Sequence, residues 1–326
     1  MPKRLIEIRG TPILDLTSYA RPGPGRRDRM SAAEIDQITR TARRVPEVVV
    51  KVLTHGRQDL RGVQRHLDYL GRKGDVPIET DEGERIQGRG VEKELLNDWD
   101  LEIEEYRRRV ALGPRRDRSP PKLVHKVLFS MPAGTPPEKV LEAVRNFARE
   151  EFALRHRFAM VLHTDEPHPH VHMVIRAVSE QGVRLNIRKA TLRDWRQKFA
   201  AQLRREGVAA NATERAVRGG SRTRKADGIY RANLRCESSH MRDRAYAVRS
   251  AFEKGEFTVE EGKWTLRATR REVEQGWRAV SEILVAQGRP EIAAEVRRFL
   301  NDMPPPRTER ERVASAIDGG SLTGWP

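Results

Sequence analysis

The stretch HTDEPHPHVH (163–172) constrains this chain more than any other part, because it gathers four of the nine histidines within ten residues. FAMVLHT (158–164) and HVHMVIRAV (170–178) overlap its two ends. Both are short, apolar and rich in strand-favouring residues, so they read as strands, and the polar turn between them predicts a hairpin. Side chains alternate faces along a strand, so His170 and His172 share one face, about 7 Å apart, with Val171 opposite. A hairpin returns His163 beside them. Three imidazoles from two paired strands can then converge on one cation and leave coordination positions open, which is the catalytic pattern; structural sites fill all four positions with protein. A structural zinc usually recruits cysteine, and the single cysteine, Cys236, lies far along the chain. His168, between Pro167 and Pro169, ranks below the other three as a ligand. Asp165 either accepts a hydrogen bond from a ligand's second ring nitrogen, fixing its tautomer, or caps the turn. The inert alternative for the whole stretch is a histidine-rich surface loop. His55, His66, His125, His156 and His240 are isolated and read as structural or surface residues.

Around this hairpin the patterns alternate. Ser31 followed by Glu34 is a capping-box signal for a helix reaching about Arg44. VVVKVL (48–53) reads as a buried strand, LRGVQRHLDYLGRKG (60–74) as a helix closed by glycine, and TDEGERIQGRG (80–90) as a polar hairpin or loop. VEKELLNDWDLEIEEYRRRVAL (91–112) reads as one charged helix, and LVHKVLFSM (123–131) as a further strand. Thr135, two prolines and Glu138 then open a helix with Val140, Val144, Phe147 and Ala148 on one face. VRLNI (183–187) is able to extend the sheet, and TLRDWRQKFAAQLRREG (191–207) is a helix ending at glycine. Beyond about residue 215 only helical patterns remain, roughly 238–254, 265–287 and 289–302, after a basic linker at 218–228. The expected fold is therefore α/β (α+β), a central antiparallel sheet flanked by helices with a small helical C-terminal region. The expected divisions are 1–45 as a basic arm with a short helix, 46–217 as the main domain, and 218–326 as linker and helical region.

Charge narrows the partner. The formal net charge is +16, and from Arg176 to Arg235 sixteen Lys or Arg face five Asp or Glu. A basic run is often just a solvated face, but one this dense, directly after the histidines, points to a polyanion such as DNA. Arg188 and Lys189 are candidate contacts within it. No run approaches the roughly 18 apolar residues that span a bilayer, and the start MPKRLIEIRG lacks the apolar stretch of a signal peptide. One cysteine permits no intramolecular disulfide, which suits the reducing cytoplasm.

Of the five tyrosines, Tyr69 stands out. At about 100° per residue, Val63, Leu67 and Leu70 form one apolar stripe, and Tyr69 lies about 100° or more away from it. It is not placed to pack the helix onto a sheet. Preceding Arg72 and Lys73, it is suited to meet a phosphate. A phenol has a pKa near 10, so attack on phosphorus requires proton removal and a cation withdrawing electrons from the phosphoryl oxygens. A histidine-held metal supplies that cation. By itself an exposed tyrosine is ordinary.

Three segments in order, HLDYLGRKG (66–74), VLFSMPAGT (127–135) and HTDEPHPHVH (163–172), resemble the motifs of the relaxases, or mobilization nucleases, within the HUH endonucleases. The likeness is to the branch containing the T-DNA border nuclease of agrobacterial Ti plasmids. WRQKFAAQLRREGVAANATERAVRG (195–219) is similar to the same branch, so the resemblance runs from about residue 45 to 220. It implies site- and strand-specific nicking and rejoining of DNA at an origin of transfer, in conjugation or mobilization, with Tyr69 becoming linked to the 5′ phosphate. It implies that Ser130 helps hold DNA near the cut, where the alternative is a strand-end hydroxyl bonded to backbone. His163, His170 and His172 fall at the metal-site histidines, with one of them or Asp165 helping to activate Tyr69. The implied cofactor is a divalent cation, magnesium or manganese, although imidazole ligands by themselves favour manganese, zinc or nickel over magnesium. Implied partners are single-stranded or supercoiled origin DNA, accessory origin-binding proteins, a separate helicase and a type IV secretion coupling protein, with no membrane insertion. The sequence departs from the family in an N-terminal arm of about 45 residues that carries a competing tyrosine, Tyr19, and in having no P-loop. Two rival readings remain: a non-catalytic DNA-binding protein on the same fold, and a replication-initiator or transposase nuclease of the same superfamily.

Overall fold

A computed structural model describes residues 28–53, 59–112, 121–220, 238–254 and 262–318, with isolated positions at 16, 232 and 260. Tyr19, His55, Tyr230 and Cys236 lie outside the described residues. By their contacts the described residues part into two compact units, one within Val45–Ala212 and a second joining those up to Arg44 with those from Thr213 onward.

The first unit is built on a six-stranded antiparallel sheet. Its strands are β1 (Val49–Leu53), β2 (Ile78–Thr80), β3 (Arg85–Ile86), β4 (Val124–Ser130), β5 (Phe158–His163) and β6 (His170–Arg176), in the spatial order β1-β4-β6-β5-β2-β3. The helices before the motif-bearing strands follow their sequence signals. In α2 (Leu60–Leu70), Asp59 caps the N-terminus, its side chain accepting from the Gly62 amide, and Val63, Leu67 and Leu70 are each 1% exposed. α5 (Pro137–Phe152) starts at proline and buries Val140, Val144, Phe147 and Ala148 completely.

Alternation along the strands sorts the core into two layers. Val127, Phe129, Val171, Met173 and Ile175 pack against α5 and α6 (Lys189–Arg205), whose Trp195, Phe199 and Leu203 are fully buried. Val124, Ala159, Val161 and Val174 face the other way, against α2, α3 (Val91–Asp98) and the start of α4 (Leu101–Leu112). The histidines belong to this second face.

Two local expectations are corrected. The single helix over 91–112 is two, because Asp100 takes a left-handed conformation with φ 50°. Trp99 and Leu101 are both fully buried; in a straight helix, residues two apart point about 200° apart and cannot face one core together. The segment 183–187 adds no strand and forms only an isolated bridge between Val178 and Arg184. β6 is already flanked by β4 and β5, so it has no free edge to offer. The polar 80–90 segment does close a hairpin, β2 to β3, at the sheet's edge.

The second unit is helical: α1 (Ala32–Ala42), α7 (Ser239–Glu253), α8 (Lys263–Ala286), α9 (Pro290–Asn301) and α10 (Glu309–Asp318), the last not foreseen from the sequence. The capping box at Ser31 and Glu34 is formed. α1 shares a core with the C-terminal helices, where the sequence suggests a separate arm over 1–45. Ile38 and Met30 are buried with Trp277, Val280, Leu284, Val296 and Phe299. Arg43 pairs with Glu295 at 2.8 Å, and the Trp277 indole donates to the Val217 carbonyl at 2.8 Å. Among the described residues, no helix is long and apolar enough to cross a membrane.

Candidate active site

Register brings the three histidines together. His163 stands directly opposite His170 across β5 and β6, and His170 stands opposite Ser130 across β6 and β4. His172 is two residues further along β6 on the same face. The ring centroids of the trio are 4.9–5.4 Å apart, and one nitrogen from each lies within 4.8 Å of the others.

The remaining nitrogens show whether such a trio can hold a cation. His163 Nε2 donates to the Leu70 carbonyl at 2.8 Å, leaving Nδ1 as the free lone pair. His170 Nδ1 donates to the His168 carbonyl at 2.9 Å, leaving Nε2 free. Backbone carbonyls thus do the orienting that second contacts perform at metal sites, and His168 contributes its carbonyl while its exposed ring stays out. Nδ1 of His172 is buried with no partner. Burial, reinforced by His163 and His170, pushes the His172 pKa down to about 3, and burial likewise lowers that of His163. Burial thus favours, at His163 and His172, the neutral imidazole that a metal ligand must be. This donor set fits a divalent cation.

The Leu70 carbonyl belongs to the last residue of α2, so the bond to His163 fastens the helix end that carries Tyr69 to the histidine cluster. Tyr69 is 59% exposed while its helical neighbours Leu67 and Leu70 are buried. After Gly71 the backbone makes a tight turn in which Arg72 and Lys73 adopt φ of 51° and 58°, uncommon for residues with a Cβ. Gly74 completes it at φ 96°, against the Gly88 backbone. This turn folds Arg72 back, its guanidinium 4.8 Å from the Tyr69 ring centroid and 2.5 Å from the Asp165 carboxylate. The side-chain hydrogen bond to Tyr69, and then Asp165, hold the Arg72 guanidinium above its ordinary range although partial burial works against them. Burial alone would raise the Asp165 carboxyl, but the bond and charge of Arg72 hold it below. Asp165 is thus engaged with Arg72, and the second nitrogens of His163 and His170 are bonded to carbonyls instead.

Ser130 lies in the same cross-strand row as His170 and His163, its hydroxyl 3.4 Å from the Met131 carbonyl. Lys73 is exposed beside Arg72. Arg188 and Lys189 stand apart: they begin α6, just after Leu185, which is bonded to Ala177 beyond the opposite end of β6 from the histidines. Two further residues border the site. His66, on α2, has its ring 6.4 Å from that of His172, and Lys126, on the same sheet face, is 4% exposed. Isolated in sequence, His66 offers little signal, but its three-residue spacing from Tyr69 on one helix was a usable one.

Sequence comparison relates part of the chain to known proteins. Residues 69–208 match the nuclease domain of the MobA/VirD2-like relaxases. That segment, under half of the chain, is similar to the relaxase nuclease domain. The chain is similar to the T-DNA border endonuclease VirD2 of Rhizobium radiobacter, 27% identical over 53% of this chain and 43% of the relative. It is also 27% identical to VirD2 of Agrobacterium fabrum strain C58, over 53% of this chain and 41% of the relative. The chain therefore spans less than half the length of these relatives. The matched relaxase segment opens at Tyr69 and contains β2 to β6, the histidine trio and α6.

Proposed function

We propose that the unit around residues 45–212 is a DNA-nicking and -rejoining nuclease acting by transesterification, with Tyr69 as nucleophile. One observation carries this reading: an exposed tyrosine at the end of a helix whose last carbonyl anchors a histidine of a cation-binding trio. The phenolic oxygen attacks the scissile phosphorus, forming an O–P bond and breaking the bond to the 3′ oxygen. The phenolic proton passes to a neighbouring base, for which the imidazoles and Asp165 are the candidates, and a proton delivered in turn to the departing 3′ oxygen releases that end as a hydroxyl. Attack of that hydroxyl on the 5′-phosphotyrosine reverses the step and reseals the strand, since the energy of the phosphodiester is kept.

His163, His170 and His172 would hold a divalent cation, magnesium or manganese, whose chemistry is to withdraw charge from the phosphoryl oxygens. Arg72 has the geometry to bind a phosphate at Tyr69, with Asp165 keeping its fork in place, and the exposed Lys73 adds charge beside it. Ser130, in line with His170, is offered to the DNA backbone near the cut. Arg188, Lys189 and the basic stretch around them supply salt-sensitive affinity along the strand.

The substrate on this reading is one strand at an origin of transfer, and the setting is the cytoplasm. Unwinding and delivery fall to separate proteins: a helicase, accessory origin-binding proteins and a type IV secretion coupling protein. The test is incubation with supercoiled and single-stranded DNA from the element's own origin. A covalent 5′ adduct mapped to Tyr69 and absent from Tyr69→Phe is expected. Specific binding without any adduct would favour a recognition protein, and cutting only at a replication origin would favour an initiator.

A further inference from the structure

Two ring nitrogens on the α2 side of the sheet lack partners, and a buried lysine lies close by. Nδ1 of His172 and Nε2 of His66 are both buried and make no hydrogen bond. Lys126 is 4% exposed and, among the described residues, forms no ion pair or side-chain hydrogen bond; burial alone lowers its pKa. Lys126 stands opposite Val174, two residues along β6 from His172 and on the same face. Such diagonal neighbours lie about 7–8 Å apart, within reach of a lysine side chain. A buried ring nitrogen left unpaired costs roughly 1–3 kcal/mol, and ordered water commonly satisfies such an atom.

We propose that His66, with Lys126, is a positioning residue for His172, joined to it through one bound water that fixes His172 as the Nδ1–H tautomer. The rings are 6.4 Å apart at their centroids. With nitrogens about 1.2 Å off each centroid, a nitrogen of one ring comes no closer than roughly 4 Å to a nitrogen of the other. That is beyond a direct hydrogen bond and inside the roughly 5.6 Å that two bonds through a water can span. The water accepts from His172 Nδ1–H and from the Lys126 ammonium, and donates to the lone pair on His66 Nε2. Both orphaned ring nitrogens are then satisfied, and the Nε2 lone pair of His172 is turned to the trio. His66 thereby does for His172 what the Leu70 carbonyl does for His163 and the His168 carbonyl for His170. The inference rests on reading the trio as a metal site; His66 and Lys126 touch neither cation nor DNA in it.

The test uses the full chain, uniformly ¹⁵N-labelled and metal-free at pH 7.5. Long-range ¹H–¹⁵N correlations report which ring nitrogen carries each proton, and Mn²⁺ is titrated by calorimetry. Both His172 and His66 are expected as Nδ1–H tautomers in the unaltered protein. His66→Leu should release His172 into a tautomer mixture and weaken Mn²⁺ binding about 10–100-fold. His66→Gln, whose amide oxygen can accept the same bond, should recover most of the loss. A His172 protonated at Nε2 in the unaltered protein overturns the inference, and that measurement needs no variant to fold. Mn²⁺ binding by His66→Leu within twofold of the unaltered protein overturns it equally. Loss or persistence of the Tyr69 adduct alters none of these readouts, so the two readings fail separately.

Discussion

Asp165 and Arg72, 93 positions apart in sequence, meet at 2.5 Å, and the guanidinium so held lies 4.8 Å from the Tyr69 ring centroid. The carboxylate comes from the turn of the β5–β6 hairpin and the guanidinium from the left-handed turn after α2. Two elements that carry separate halves of the candidate site are thus tied by one ion pair. At the surface such a pair contributes only about 0–1 kcal/mol to stability, so its value lies in geometry: it keeps a planar cation beside the Tyr69 ring.

Tyr69→Phe should abolish the covalent DNA adduct while leaving the fold intact. The side chain is 59% exposed, and substitutions at such positions usually change stability by no more than about 0.5 kcal/mol. Adduct formation on a denaturing gel and a urea melt together check this. A persisting adduct would move the nucleophile elsewhere, Tyr19 being the first candidate.

Arg72→Lys should not rescue what Arg72→Ala loses. Lysine retains the charge but lacks the planar fork that stacks on Tyr69 and reaches Asp165 at once. Both variants are expected to lower the single-turnover nicking rate about 10²-fold or more, the scale seen when one preorganised charge-stabilising donor is removed. Near-normal rates in Arg72→Lys would reduce the residue to a diffuse electrostatic contact.

Gly74→Ala should destabilise the protein more than Gly83→Ala. Both glycines have positive φ, but a Cβ at Gly74 would sit 2.4 Å from the Gly88 carbonyl carbon, whereas one at Gly83 meets nothing within 4 Å. Strain alone is worth about 1 kcal/mol, and the clash with backbone adds to it only at Gly74. Denaturant midpoints compare the two; equal losses would mean that the turn after α2 can shift freely.

Stability of the metal-free protein should fall as pH drops below about 6.5. Burial lowers the pKa of His66 and His125 to about 4 and that of His172 to about 3. Between those values and the unfolded value, the unfolded chain binds protons that the folded chain refuses. Their contribution is therefore complete above pH 6.5 and is lost on acidification, with a slope of up to about 4 kcal/mol per pH unit near pH 5 for three such groups. Urea midpoints at pH 7.5, 6 and 5 test it. Saturating Mn²⁺ should steepen the dependence, because only neutral imidazoles bind metal.

Local periodicity made much of this protein readable from its residues. The period of two places His170 and His172 on one face, and the short polar turn returns His163 to them. The period of 3.6 separates Tyr69 from the stripe of Val63, Leu67 and Leu70. The three motif segments carry the resemblance to the relaxases. Each of these signals is confined to one element or one hairpin, so neighbours in sequence suffice to express it.

What the residues in order leave undecided depends on which distant elements meet. Asp165 has two local uses as a turn residue, and only the packing of the hairpin against the end of α2 gives it Arg72. His66 looks solitary until α2 lies across the sheet beside His172 and Lys126. The pattern over 91–112 is helical throughout, yet the need to bury Trp99 and Leu101 together breaks it at Asp100. α1 is well signalled as a helix, but its core partners are some 250 residues away. Periodicity specifies which face of an element is apolar; the surface that covers that face is chosen by the sum of contacts over the folded chain, and no single segment encodes it.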